Sequence, residues 1–503
     1  MSRLDAVFVI PGNLTQVYQV FAKEHAIEPP IFALWIASHL ESKGYSFEFI
    51  DAVPSNLFPE EVAAEVVHLN PRLVIVPVYG SQPSASTQNM PAARRTCQAI
   101  KDLKPDQKIL VTGTHPAALP ERTLREEPVD FVCDGEGPTT LIEILEVLRN
   151  GDDVSNVGSL WYWESGKPKY THPARNVTEL EFDPDIWRFL PMSRYIAHDW
   201  HTGYRDFASR KPYASILTTL GCPFRCSFCC IQTPFRAGEA AIGRNPKSNS
   251  YRFWSPQVII KTIEVLVRKY GMEHIKIHDE LFVLNQRHVS AICALIKERF
   301  NDDLNIWAYS RADTAQPKSL DILRAAGIRW LAVGIERDGK NKSFSGEDIL
   351  RVREMIKDAG IKLAANYIFG LPGDTKDSMQ ATLDMALAIN SPFANFYCAM
   401  AYPGSELYEE AVRRNLPLPD SPGGPGWIGY SQHAYEATPL PTDSLSAADI
   451  LRFRDEAWRR YYTNPKFLSM LQDWYGENGE EAERNIKKMT SLSPLRRALF
   501  EKT

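Results

Sequence analysis

Short apolar runs separated by longer amphipathic stretches set the rhythm of the first 150 residues. Runs at Ala6–Ile10, Ser46–Ile50, Leu73–Val78, Lys108–Thr112 and Val129–Cys133 have the length of parallel strands buried on both faces. Helical patterns lie between them. Pro29 and Pro30 open one that ends at Gly44, with proline at the start and glycine just past the end, as helix termini favour. Leu141, Ile144, Leu145 and Leu148 recur at helical spacing after the fifth run. Five βα units in a row predict an open, doubly wound sheet over residues 1–150.

Residues 151–210 break the rhythm. Leu160–Trp163 and Lys169–Thr171 flank a Glu-Ser-Gly-Lys turn and read as a hairpin; the rest is rich in Pro, Trp and Arg, a connector. The alternation returns over residues 211–410. Strands are expected at Ser215–Thr219, Ile275–Ile277, Asn305–Tyr309, Ile328–Gly334, Lys362–Ile368 and Asn395–Met400, and Ser255-Pro256 starts a helix that runs to Tyr270. Six such units predict a partial (β/α)6 barrel. Residues 411–503 read as a helical, aromatic-rich region that opens with NLPLPDSPGGPGWIGY and carries a helix after Ser444 with Trp458, Tyr461 and Tyr462 near its end. Trp427, Tyr430 and Tyr435 suit either core packing or the wall of a cavity, and the loop around Pro422–Tyr430 is expected to close that cavity.

The composition is that of a globular protein: 44% apolar, 24% charged, net charge −5 over 503 residues. No block of like charge stands out, which argues against a nucleic-acid partner. The opening MSRLDAVFVIPGN has an internal Asp5 and a Pro-Gly stop, a first strand rather than a signal peptide, and no stretch has the length of a transmembrane segment. A cytoplasmic location is expected.

The cysteines change the picture. Four of the eight fall within residues 222–230, a concentration that points to metal or redox chemistry rather than a disulfide framework. In ILTTLGCPFRCSFCC, Cys222, Cys226 and Cys229 stand in CxxxCxxC spacing after a strand. Thiolates are the usual ligands of iron–sulfur clusters, and three on one short loop leave one iron of a 4Fe–4S cubane open to a further ligand. Structural zinc takes four ligands, usually from two separated pairs. No second pair is present, and Cys230 is adjacent to Cys229. Cys230, Cys97, Cys133, Cys293 and Cys398 read as small buried apolar residues.

The loop resembles the signature of the radical S-adenosylmethionine (SAM) superfamily, including the aromatic residue before the third cysteine, Phe228. The resemblance implies that SAM binds the open iron and that Phe228 lies beside its adenine. It implies further contacts at strand ends, where barrel active sites gather. Glu280 in His278-Asp279-Glu280, where the family often has Gly-Gly-Glu, would meet the SAM ammonium, with Asp279 a rival. Ser310 and Arg311 end the third strand, and Arg311 would fork the SAM carboxylate. Glu336 in VGIER would hold the ribose, and Gly370 in Gly370-Leu371-Pro372 would form an adenine wall.

Ligands of doubly wound sheets bind beyond the C-terminal strand ends. Those loops, Pro11–Val17, Tyr79–Ser86, Gly113–Ala117 and Gly135–Thr139, are rich in residues that suit a large ligand edged with amides, and no GxGxxG follows the first strand to mark a dinucleotide site. A doubly wound domain, a hairpin and a radical SAM barrel in this order resemble the cobalamin-binding radical SAM subfamily. Its motifs are Pro29-Pro30, GTHPAALPE and DGEG, which place Gly113, His115, Gly135 and Glu136 at the cobalamin. The DxHxxG motif that supplies an axial histidine elsewhere is missing, so His115 is expected to shape its loop rather than ligate cobalt. The resemblance implies an α/β fold with a Rossmann-like cobalamin domain, a 4Fe–4S cluster, SAM and cobalamin as cofactors, a small-molecule substrate, and a reductase or other low-potential electron donor. The reaction it implies is methylation of an unactivated carbon through a 5′-deoxyadenosyl radical and methylcobalamin, or oxidative cyclisation or rearrangement with the same cofactors. A cobalamin sensor would leave the cysteine loop unexplained. A methylthio-transferring tRNA enzyme would need a second cysteine set, and residues 1–150 offer only Cys97 and Cys133.

Overall fold

The computed structural model describes residues 3–80, 85–205, 210–245, 248–301, 303–335 and 346–491. Its first sheet contains β1 (Ala6–Ile10), β2 (Phe47–Asp51), β3 (Leu73–Pro77), β4 (Lys108–Thr112), β5 (Phe131–Cys133), β6 (Leu160–Glu164) and β7 (Lys167–Tyr170) in the order β2-β1-β3-β4-β5-β6-β7. The first five strands are parallel. The chain order reverses between β1 and β3, and such a reversal creates a crevice for ligands at the strand ends.

The hairpin expected in the connector belongs to this sheet. β6 pairs antiparallel with β5, and β7 with β6. Leu160 and Tyr162 are buried while Trp163 and Glu164 face out. The hairpin covers an edge that parallel β5 would otherwise expose.

After β7 the chain makes short turns rather than regular elements, yet it is well buried. Trp200 stacks on Phe393 at 4.6 Å and meets Trp307 and Trp330 edge-on at 5.3 and 4.9 Å. The connector thus fills the interior of the second sheet with an aromatic plug.

That sheet contains β8 (Tyr213–Ile216), β11 (His274–Ile277), β12 (Asn305–Arg311), β13 (Ile328–Gly334), β14 (Lys362–Phe369) and β15 (Phe393–Cys398), all parallel in chain order; β9 (Thr219–Gly221) and β10 (Tyr251–Phe253) pair separately and antiparallel. This is the expected six-stranded partial barrel. The expected strand Ser215–Thr219 is broken in two, because the backbone N–H groups of Thr218 and Thr219 turn aside to the carboxylate of Asp279 at 2.6 and 3.0 Å.

An open barrel leaves a free edge at β15. Side chains satisfy it. Tyr462 accepts from Ala394 N (3.0 Å) and donates to Ala394 O (2.8 Å), Arg454 donates to Phe396 O (2.6 Å), and Gln432 both accepts from Cys398 N (2.9 Å) and donates to Cys398 O (2.8 Å). Tyr462 and Arg454 come from the helix Ala447–Tyr462, which with helices Pro465–Tyr475 and Gly479–Ser491 forms the C-terminal region. The alternate backbone groups of an edge strand, which invite pairing with another chain, are thereby occupied. Among the described residues, no helix is long and apolar enough to cross a membrane.

Candidate active site

Three features fix the cysteine loop. Gly221, immediately before Cys222, has φ +84°, and a Cβ there would lie 2.3 Å from Ser250 O, so only glycine fits. Gln232 joins the loop to the segment entering β10: its amide donates to Cys222 O (2.7 Å) and Ser250 O (3.2 Å) and accepts from Ser250 N (2.8 Å). Asp279 clamps Thr218 and Thr219 from β11's end and also accepts from the Thr218 hydroxyl.

A cavity of about 530 Å³ opens beside the loop, lined by Cys222, Cys226, Phe228 and Cys229 together with Glu280, Ser310 and Arg311 at the strand ends. No cysteine is in a disulfide. Burial pushes the Cys222 thiol up to about 12 and raises Cys229 as well, so these are protonated thiols until a metal centre draws off their protons. Among the described residues, no three His, Cys, Asp or Glu side chains gather closely enough for a single ion. The three cysteines instead share a cavity wall, and a donor set of three thiols suits a cluster wider than one ion. Cys230 lies on the same wall.

The tripeptide after β11 faces three ways. Asp279 is committed to the cysteine loop, Glu280 lines the large cavity, and His278 lines a smaller one. Burial raises the Glu280 carboxyl to about 7 despite the charge of Lys276. A cation bound beside it would restore its charged form. Ser310 meets the Thr314 hydroxyl at 3.0 Å. Arg311 is held by Asp313 at 3.0 and 3.2 Å with its guanidinium 4.2 Å above Phe224. Gly370, at φ +79°, forms a turn in which its N–H and that of Leu371 donate to Asp374; it does not line the cavity. Glu336 lies outside the described residues.

The first domain reaches the same cavity through Tyr18, Phe21, Glu24, His25 and Glu28. Glu28 is the hub of this contact. It takes Lys276 at 3.0 Å, the Ser215 hydroxyl at 3.2 Å and His198 at 3.4 Å, binding first domain, connector and barrel through one buried carboxylate. These charges hold its carboxyl well below the usual range against the opposing effect of burial.

The four first-domain positions expected at a ligand lie outside the lining of this cavity. Gly113 (φ +137°) packs so closely that a Cβ would sit 2.3 Å from Val78 O. His115 is buried, with its N–H on Ser86 Oγ (2.9 Å), Nδ1 3.2 Å from Thr87 Oγ1 and its ring 4.5 Å from Trp427. A Cβ on Gly135 would lie 3.0 Å from Ser159. Glu136 is engaged at both oxygens, by Arg252 (2.5 Å) and the Val177 N–H, and so braces the first domain against β10. The loop expected to close the cavity, Pro422–Tyr430, instead docks on the first domain. Trp427 lies between His115 and Arg122, while Asp420 binds Arg122 (2.5 Å) and Tyr430 (2.5 Å). The next residues, Gln432, His433 and Tyr435, line the cavity.

Gln232, Glu28, Lys276 and His198 escape sequence reasoning, because each acts through a partner distant in the chain and none stands in a spaced motif. Position after a strand was the available signal for Asp279.

Comparison with known proteins identifies two families along the chain. Residues 20–145 match the B12 binding domain family and residues 216–386 the radical SAM superfamily. An uncharacterized methyltransferase of Pyrococcus horikoshii is 24% identical over 497 residues, 97% of this chain and 98% of that protein. The anaerobic magnesium-protoporphyrin IX monomethyl ester cyclase of Rubrivivax gelatinosus is 24% identical over 456 residues, 88% and 75% respectively. Among solved structures, the radical SAM methyltransferase TsrM from Kitasatospora setae, with cobalamin and a 4Fe–4S cluster bound, superimposes with a TM-score of 0.67 over 98% of this chain and 100% of that one, at 17% identity.

Proposed function

From a chain that joins a B12-binding domain to a radical SAM domain, and is thus a cobalamin-dependent radical SAM enzyme, we propose a methyltransferase acting on an unactivated carbon of a small molecule. The observation that carries this reading is the single chamber: the cysteine loop, the barrel strand ends and the first domain all line one cavity of about 530 Å³. The smaller cavity at the crevice of the first sheet shares Tyr18, His25 and Glu28 with it, so chemistry held at either place meets one substrate space.

When bound, the reduced cluster supplies the electron that cleaves SAM, and cobalamin supplies a methyl carrier. The chain's own residues bind and orient. Cys222, Cys226 and Cys229 would hold the cluster, with Gly221, Gln232 and Asp279 fixing their loop. Phe228, Glu280, Ser310 and Arg311 would hold SAM, Glu280 facing its ammonium and Arg311 its carboxylate. Gly113, Gly135 and His115 shape the sheet-end loops, and Glu136 holds the domain in place. The aromatic rings of Tyr18, Phe21 and Trp458 on the cavity wall would exclude water from the radical. We place the domain limits at 1–150, 151–210, 211–410 and 411–503, the enzyme in the cytoplasm, and its electrons with a low-potential donor.

Each methylation spends one SAM as methyl source and one as radical source. S-adenosylhomocysteine and 5′-deoxyadenosine should therefore accumulate in about equal amounts during turnover, measured by quenched chromatography. Deoxyadenosine with homocysteine product at background would favour the second reading, a cyclase like the magnesium-protoporphyrin relative.

A further inference from the structure

We propose that His278, supplied by the barrel, contacts the cobalamin, completing a site whose loops come from the first domain. This rests on the cobalamin reading above.

A second cavity, of about 100 Å³, lies where the sheet order reverses, between the ends of β1 and β3; Asn13, Tyr79, Asn89 and His278 are on its walls. It shares Tyr18, His25, Glu28, Ala85 and Gln88 with the large cavity, so the two adjoin. The crevice at such a reversal is where doubly wound sheets bind their ligands.

Among the described residues, His278 is the one barrel side chain on that wall. It is only 5% exposed, and neither ring nitrogen has a hydrogen-bond partner among the described residues. Glu28 Oε2 is 3.9 Å from Nδ1, too far for a hydrogen bond, and that carboxylate is already taken by Lys276, Ser215 and His198. The ring is fixed edge-on to Phe32 at 5.5 Å. Burial, with Lys276 nearby, holds its pKa down to about 3, so it is neutral, with one donor and one acceptor. Two unmet polar atoms in a buried ring are costly for the protein alone. A ligand edged with amide side chains answers both; Gln88 borders the two cavities, and Asn13 and Asn89, whose amides bond each other at 2.7 Å, border the smaller one.

His115 offers no such opening, since its Nδ1 meets Thr87 and its ring meets Trp427. Of these two histidines, it is His278, on the barrel, that borders the smaller cavity.

The test uses the full chain with hydroxocobalamin as probe, comparing wild type with His278→Phe and His278→Gln. Absorbance titration should show affinity falling about tenfold or more in His278→Phe, the loss expected for unmade hydrogen bonds, with substantial recovery in His278→Gln. Without cobalamin, the thermal midpoint of His278→Phe should equal or exceed wild type, because an apolar ring removes the unmet polar atoms; a purely structural histidine would give a lower one. Equal affinity in wild type and His278→Phe, or a lowered apo midpoint with affinity intact, overturns the inference. Failure of wild type to bind cobalamin overturns the cobalamin reading instead.

Discussion

Cys226→Ala protein, purified without air, is expected to lose most of its iron and to cleave SAM at background rate, while wild type holds about four irons per chain. The physical reason is the scarcity of ligands. The cavity wall offers Cys222, Cys226 and Cys229 in a loop preset by Gly221 and Gln232. With one thiolate gone, an iron is left to solvent and the cubane loses its anchorage. Cys222→Ala and Cys229→Ala should behave alike. Cys230→Ala and Cys293→Ala should keep their iron; Cys293 is buried in the helix Gln286–Phe300, apart from the loop. Iron and turnover surviving in Cys226→Ala would remove the cluster assignment.

Arg252→Leu should lower the stability of the apo protein by about 3–5 kcal/mol, the cost of leaving a buried charge without its partner. Arg252 and Glu136 are 4% and 3% exposed and 2.5 Å apart, and Arg252 Nε is 3.8 Å from Glu239. The guanidinium also donates to Ser250 Oγ (2.9 Å) and to Val177 O. Removing it strands Glu136, whereas Glu239 keeps Arg244 at 2.9 Å and Asn176 at 3.0 Å. The double variant Glu136→Gln, Arg252→Leu should lie closer to wild type than Arg252→Leu alone, since the stranded charge is gone. Denaturant melts of the three proteins measure both numbers. A loss under about 1 kcal/mol in Arg252→Leu would reduce the pair to the rank of a surface contact. Because Arg252 pairs with Leu220, two residues before Cys222, the same variant should also retain less iron.

The strands were legible because their signal is local. Ala6–Ile10, Lys108–Thr112 and Ile328–Gly334 begin and end where their apolar runs do, and the helix Pro256–Tyr270 starts at Ser255, whose hydroxyl accepts from Val258 N. The cysteine loop was legible for the same reason, since its ligands lie within one short segment. What the sequence hid depends on distant partners. The break at Thr218 requires Asp279. The membership of the hairpin in the first sheet depends on the open edge of β5. Glu136 carries the motif of a ligand loop, but Arg252, 116 residues away, takes its carboxylate. The loop at Pro422–Tyr430 has the composition of a lid, but Trp427 finds His115 and Arg122 and docks on the first domain. Tyr462, Arg454 and Gln432 act on β15 from residues 34 to 68 positions away, a role that no propensity encodes.

The most direct test of the account is the fate of the SAM methyl group. Candidate substrates are incubated with the reduced holoenzyme and SAM carrying a CD3 group, and products are read by mass spectrometry. If both cofactors serve one chamber and one substrate carbon, the product gains an intact CD3 unit on a carbon that previously bore hydrogen. A product that forms with 5′-deoxyadenosine yet carries no label would contradict methyl transfer.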